Sequence, residues 1–353
     1  MDLRAALETR ARELGFARLG VARVEPLDRE AATLTAWLRD GMHASMGWMA
    51  DTAEVRLDPT HPGMLPGARS VIAFATPYAR EGGPVGPSPG VVARYARGRD
   101  YHNVIGKRMR KLTRILKEAG HQARMSVDSV PMLERAWAQR AGIGFIGKNA
   151  CLIVPGLGSH VLLSTIVTDA ELPPDAPMAE RCGSCRLCLD GCPTDAFRGP
   201  RVLDANACIS YLTIEHRGTI DPALRAQMGS RLFGCDICQD VCPYNRTAPP
   251  DAADTEPFAA DPRLDVPLER VLRMDDDAHR SWAHGSPLRR PGREGMARNA
   301  AIVLGNSGAR RHLPVLREAA EEDPSETVRS AARWALERLS AATAEEQEPE
   351  QGQ

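Results

Sequence analysis

Apolar positions open the chain at helical spacing: Leu3, Leu7, Ala11 and Leu14 share a stripe that Gly15 stops. Runs rich in β-branched residues follow. Arg69–Ala75 (RSVIAFA), Leu152–Val154 and Val161–Val167 (VLLSTIV) read as buried strands. Met109–Ala119 and Met132–Ala141 carry a helical period, the second leading into Gly142, Gly144 and Gly147. Strands interleaved with helices predict an α/β or α+β domain over residues 1–170, with strand order unreadable. Glu81–Gly90 (EGGPVGPSPG) reads as a flexible loop, 171–180 (ELPPDAPMAE) as a Pro-rich linker, and 247–267 as a Pro/Asp-rich connector. Residues 265–340 are helical and weakly repetitive. Arg298-Asn-Ala-Ala and Arg329-Ser-Ala-Ala stand 31 residues apart, a spacing that suits HEAT-like repeats or a plain helical hairpin. The tail 341–353, with four Glu and no basic residue after Thr343, is predicted to be disordered. The expected class is α+β: an α/β domain, a cysteine-rich module at 171–250, and helical repeats.

At 353 residues, 43% hydrophobic and 26% charged, the composition is that of an ordinary globular protein. The net charge of −1, from 45 basic and 46 acidic residues, excludes a histone-like polycation but not local patches. No apolar run approaches the ~20 residues of a membrane helix, and the charged, amphipathic N-terminus is unlike a signal peptide, so the expected location is the cytoplasm, without a membrane partner. Nine cysteines in a cytoplasmic chain point to metal or redox chemistry rather than disulfides.

Eight of them follow residue 180. Cys182-x-x-Cys185-x-x-Cys188-x-x-x-Cys192-Pro193 is the run of bacterial two-cluster ferredoxins, whose fourth cysteine ligates the other cluster. Cys235-x-x-Cys238-x-x-x-Cys242-Pro243 repeats it without the first member, and Cys208 is left over. The count then closes on two 4Fe–4S clusters, one on Cys182, Cys185, Cys188 and Cys242, the other on Cys192, Cys208, Cys235 and Cys238. A pair of zinc sites would explain the C-x-x-C pairs but not the Cys-Pro ends. A second cluster with three protein ligands and a merely buried Cys208 is the other alternative. Cys151, beside Lys148-Asn149, is the odd thiol and reads as a small core residue. An electron relay of some 60 residues needs a consumer elsewhere in the chain.

Two pieces flank that module. Val127-Asp128-Ser-Val-Pro-Met-Leu-Glu134-Arg135 with Ala141-Gly-Ile-Gly-Phe-Ile-Gly147-Lys148-Asn149 resembles the core motif of the epoxyqueuosine reductases. So do Arg94-Tyr95-Ala-Arg-Gly-Arg-Asp100-Tyr101-His102 and Ser210-Tyr-Leu-Thr-Ile-Glu-His-Arg217-Gly. The resemblance implies a cobalamin-dependent oxidoreductase, related to corrinoid reductive dehalogenases, that removes the epoxide oxygen of epoxyqueuosine at the wobble position of tRNA. It implies cobalamin in the N-terminal domain with no protein His on cobalt; an external one-electron donor is expected to feed the clusters, and nothing in the sequence demands more than a monomer. By matching motif Asp128 is the proton donor, and Arg56, Tyr95, Asn149 and Ser210 are cobalamin-pocket candidates. From the residues alone, Asp128 reads as the N-cap of a helix over Ser129–Ala141, and the motif match is what favours the proton donor. An acid in an apolar pocket, with its pKa raised, would suit proton donation near neutrality. The competing classes are an electron-transfer protein with docking domains and a small-molecule dehalogenase.

Residues 94–117 hold nine Lys/Arg and one acid, a net +8. Arg280, Arg289, Arg290, Arg293 and Arg298 form a second basic stretch. Phosphates ask for such patches, so Lys107, Arg108, Arg289, Arg290 and Arg217 are the tRNA-contact candidates. A solvated helix face is the alternative reading. Aromatics at 5% argue for one flipped base rather than extended stacking.

Overall fold

The computed structural model describes residues 2–78, 90–246, 256–264 and 266–345. Most of the expected loop at Glu81–Gly90 and part of the 247–267 connector therefore lie outside the described residues. The chain divides into two compact units, each assembled from separate segments: 1–81, 98–204 and 237–259 in the first, and 82–97, 205–236 and 260–353 in the second.

The first unit is built on a four-stranded sheet of β1 (Arg18–Arg23), β2 (Ser70–Pro77), β3 (Ala123–Ser126) and β4 (Val161–Thr168) in the order β1-β2-β4-β3. Every pairing is antiparallel, with Val21 opposite Ile72, Ile72 opposite Ile166, and Ile166 opposite Met125. This corrects the α/β expectation, because alternation of strands and helices leaves strand direction open; the unit is α+β. β2 is buried along its whole length, as its apolar sequence requires of a central strand. Helix α1 (Leu3–Glu13) follows the predicted stripe, its N-cap Asp2 accepting from the backbone N–H of Arg4 and Ala5. Gly20 in β1 admits the chain at Ala141, whose carbonyl oxygen would lie 2.0 Å from a β-carbon there.

The short helix α2 (Ala53–Leu57) carries Arg56. α3 (Tyr101–Glu118) starts eight residues before the predicted Met109, because Asp100 caps it by accepting from His102 N–H. It buries Val104, Ile105, Met109, Leu112 and Leu116, each worth about 1.5–3 kcal/mol at most. Its other face leaves Lys107, Arg110, Lys111, Arg114 and Lys117 exposed. α4 (Glu134–Arg140) packs Trp137 and Ala138 into the core with Val71, Ala73 and Val167. The 171–180 segment has no regular structure but is strapped down. Asp175 takes the Arg4 guanidinium and the Val21 N–H, each at 2.8 Å.

In the second unit, β5 (Arg231–Phe233) pairs in parallel with Val91–Val92. Helices α5 (Ile209–Ile214), α6 (Leu268–Arg273), α7 (Gly292–Asn306), α8 (Leu313–Glu322) and α9 (Glu326–Glu345) are among its helices. α7 packs against α6 and α9, and Gly305 meets Ala335 so closely that a β-carbon would sit 2.7 Å from its methyl. α9 runs to Glu345, so Ala341–Glu345 is helical rather than disordered, while 346–353 lie outside the described residues. Among the described residues no helix is long and apolar enough to cross a membrane.

Candidate active site and cluster ligands

Asp128 sits in the bend after β3 with φ +53°, a left-handed conformation that aspartate tolerates better than most residues. It is exposed, not enclosed in an apolar pocket. The Tyr101 hydroxyl, at the buried start of α3, donates to Asp128 Oδ2 at 2.6 Å and holds the bend. Tyr101 stacks on His102 with ring centroids 4.0 Å apart, and His102 Nδ1 lies 2.8 Å from Asp100 Oδ1. The N-cap reading of Asp128 is overturned. The helix begins only at Glu134, after Leu133, which makes no side-chain cap, and Ser129–Leu133 lie outside it.

Of the two carboxyls, Glu134 is the half-buried one. Burial first, then the Asp128 charge, push it up to about 7, while Ser126 Oγ donates to its Oε1 at 3.1 Å. Arg56 faces both carboxyls. Burial lowers its pKa, against the pull of Glu134 and Asp128; its Nε donates to Thr52 Oγ1 at 2.9 Å, and its guanidinium lies 5.0 Å over the Trp48 ring. Sequence reasoning did not single out Tyr101 or Glu134, although both stand within the family-like motifs. Their spacing signals nothing until strand pairing brings α3, β3 and α4 together.

Cys242, buried, packs with Cys182, Phe145 and Ile153. Burial, then Cys182, Cys242 and Cys185, push the Cys188 thiol up to about 11, and burial likewise raises Cys242, with Cys182, Cys185 and Cys151 adding to it. These four thiols thus gather in the first unit, with Cys151 near them. Lys148 Nζ donates to the carbonyls of Gly183 and Cys185 at 2.6 and 2.9 Å and shapes the loop. Asn149, 4% exposed, donates to Cys238 O at 3.2 Å and accepts from Cys151 N–H, so it braces the turn that carries Cys238. Cys192 Sγ accepts from Ala196 N–H at 3.4 Å. Cys192 and Cys238 belong to the first unit, Cys208 and Cys235 to the second. None of the nine cysteines forms a disulfide. Among the described residues no three of His, Cys, Asp or Glu converge enough to hold a single ion; a cubane holds its thiolates further apart, with four irons between them.

Two curated epoxyqueuosine reductases illustrate the likeness. That of Xanthomonas campestris is 40% identical over 344 residues, covering 95% of this chain and 96% of its own. That of Pseudomonas aeruginosa is 42% identical over 339 residues, covering 93% and 92%. The chain belongs to the epoxyqueuosine reductase family. The family model described as epoxyqueuosine reductase QueG matches residues 56–129, and a 4Fe-4S double cluster binding domain matches 181–245. A crystal structure of an epoxyqueuosine reductase with an epoxyqueuosine-modified tRNA-Tyr stem loop superposes with TM-score 0.88 at 30% identity, covering 99% of this chain and 95% of that one. The Bacillus subtilis enzyme, its aspartate catalytic loop swung out of the active site, superposes with TM-score 0.87 at 29% identity over the same shares.

The family's other expected positions fall as follows. In the second unit Tyr95 lies on a single 3-10 turn, its ring 6.2 Å from that of Phe233, and Ser210 is half-buried in α5. Arg217 closes the end of α5, donating to the carbonyls of Ile214 and Glu215 at 3.0 Å and to Arg290 O at 2.8 Å. Arg290 grips Glu215 at 2.9–3.1 Å, and Arg289 is exposed. Arg108 is half-buried on α3 beside exposed Lys107. The second basic stretch is not one patch. Arg298 is 1% exposed and donates to Leu212, His216 and Gly218 carbonyls, and Arg293 is sunk in an ion pair with Asp323. Both guanidiniums hold the fold, and neither faces a ligand.

Proposed function

We propose that this chain reduces epoxyqueuosine to queuosine at the wobble position of tRNA. The observation that carries the reading is the exposed, left-handed Asp128 pinned by Tyr101, in a family with a relative solved on an epoxyqueuosine stem loop. Removing the oxygen as water takes two electrons and two protons. Asp128 hands a proton to the departing oxygen; Tyr101 orients it, and Arg56 balances the carboxyl charge. Electrons come singly from an external donor through two 4Fe–4S clusters, one on Cys182, Cys185, Cys188 and Cys242, the other, by ligand count, on Cys192, Cys208, Cys235 and Cys238.

Cobalamin, when bound, supplies a low-valent cobalt able to reduce carbon, chemistry that no side chain offers. The residues present suit it. Trp48 leaves 44% of its surface exposed as an apolar platform beside the half-buried Arg56, and Thr76 Oγ1 is buried with no partner among the described residues. Arg56, Tyr95, Asn149 and Ser210, the matching-motif positions, are the residues we assign to it. RNA phosphates meet the exposed cations of α3 (Lys107, Arg110, Lys111, Arg114 and Lys117), which form no ion pair among the described residues, with Arg108, Arg217, Arg289 and Arg290 as further contacts. The wobble base flips out of its stack toward Asp128. In this reading residues 1–170 bind cobalamin, 171–250 carry the clusters and 265–340 form HEAT-like helices, in a monomer working in the cytoplasm.

Anaerobic incubation with epoxyqueuosine tRNA, reductant and cobalamin, followed by nucleoside mass analysis, tests this. Queuosine, one oxygen lighter, is the expected product. Unchanged epoxyqueuosine with clusters and cobalamin fully loaded would overturn the reading.

A further inference from the structure

Reducing an epoxide to an alkene and water consumes two protons, and one carboxylic acid holds one. A second carboxyl, Glu134, lies within electrostatic reach of the first. Ser126 closes β3, Asp128 occupies the bend and Glu134 opens α4, so one short segment carries the hydroxyl and both acids. Ser126 donates to Glu134 while Tyr101 donates to Asp128, leaving each carboxyl with its own fixed donor. The charged groups facing Glu134 are Asp128, Arg56 and Arg135. Of the strands packed on α4, β2 and β4 carry no titratable side chain, and the β1 arginines Arg18 and Arg23 turn to Ala17 O and Glu171.

We propose that Glu134 is the proton reserve of Asp128, returning a proton to it within each turnover. The inference rests on the reading of Asp128 as the donor. The Asp128 O–H bond breaks and its proton goes to the departing oxygen, the two electrons arriving through the clusters. The Asp128 carboxylate then takes the proton of the Glu134 carboxyl, which supplies the second proton of the water formed. Solvent then returns one proton to each carboxyl, so the two protons consumed are replaced. Glu134 suits this role because burial and the Asp128 charge push it up to about 7, so it keeps its proton closer to neutrality than an ordinary carboxyl does.

Glu134→Gln keeps an oxygen for Ser126 and removes the acid. With the holoenzyme on epoxyqueuosine tRNA, turnover should fall roughly 10-fold or more. The pH–rate limb expected near 7 for the native protein, with the rate falling as pH rises, should vanish. Ser126→Ala removes a hydrogen bond that favours ionised Glu134, so the limb should move to higher pH. Infrared titration of the full chain gives a readout apart from turnover: a protonated carboxyl band that titrates near pH 7, present in the native protein and absent in Glu134→Gln. An unchanged rate and limb in Glu134→Gln, or a band that persists in it, overturns the reserve. If Glu134→Gln does not fold, an unmoved limb in Ser126→Ala does so. A native protein with no activity on epoxyqueuosine tRNA would instead condemn the functional reading itself.

Discussion

Asp128 sets a backbone demand and a chemical demand at one position, and the two can be separated by substitution. Its φ of +53° is tolerated by Asn nearly as well as by Asp, and Asn still offers Tyr101 an acceptor oxygen. Asp128→Asn therefore removes the acid while sparing the bend. Turnover should drop ~10²–10⁴-fold, with iron content, cobalamin and tRNA binding unchanged. Near-normal turnover would assign the proton to another group. Ala at this position would confuse the result, since it resists the left-handed region. Asp128 was legible from its motif, but its exposure was not, nor that burial falls on Glu134. Which of two acids is desolvated depends on strands that pair across many residues.

Helices α3 and α7 are both rich in arginine, and the structure uses them in opposite ways. On α3 the cations sit a turn apart on one exposed face, as the amphipathic period predicted. Reversing Lys107, Lys111 and Arg114 to Glu should weaken tRNA binding and flatten its salt dependence by roughly 0.7–0.9 in log–log slope for each phosphate that is no longer neutralised. Equal slopes for variant and native protein would move the RNA to another face. On α7, Arg298 is buried among three carbonyls, and Asn299 beside it donates to Thr213 O and Leu232 O at 2.9 Å. Burial lowers the Arg298 pKa to about 10, which still leaves it charged at neutrality. Arg298→Ala should cost about 3 kcal/mol, because it strands buried acceptors. A denaturation midpoint would report the loss, with the tRNA salt slope of the folded protein unchanged. Arg329, at the matching place in the repeat, instead pairs with Glu326 at the surface. The motif repeats, but the job does not.

At the scale of the whole molecule, the chain must hold enough iron to move electrons one at a time. Anaerobic reconstitution should load about eight irons as two cubanes. Cys208→Ala should lose about half of them and change the reduced paramagnetic spectrum, because Cys208 completes the second ligand set. Full iron and an unaltered spectrum would remove Cys208 from the clusters. The units are woven from alternating segments, 98–204 and 237–259 in one and 205–236 in the other, so the cysteine run belongs to no single unit.

The sequence by itself determined what spacing can encode: the cysteine inventory, the stripe of α1, the amphipathic face of α3, the apolar strands, and the motifs that lead to the family. These are properties of residues near one another along the chain. Tertiary structure alone decided the antiparallel sense of the sheet, the helical state of Ala341–Glu345, the strapping of 171–180 onto β1, and the division of arginines into surface cations and buried props. It also decided which carboxyl beside the reacting centre is desolvated. The physical reason is that desolvation and pairing are set by whichever distant segment arrives at a side chain, and periodicity carries no record of that segment.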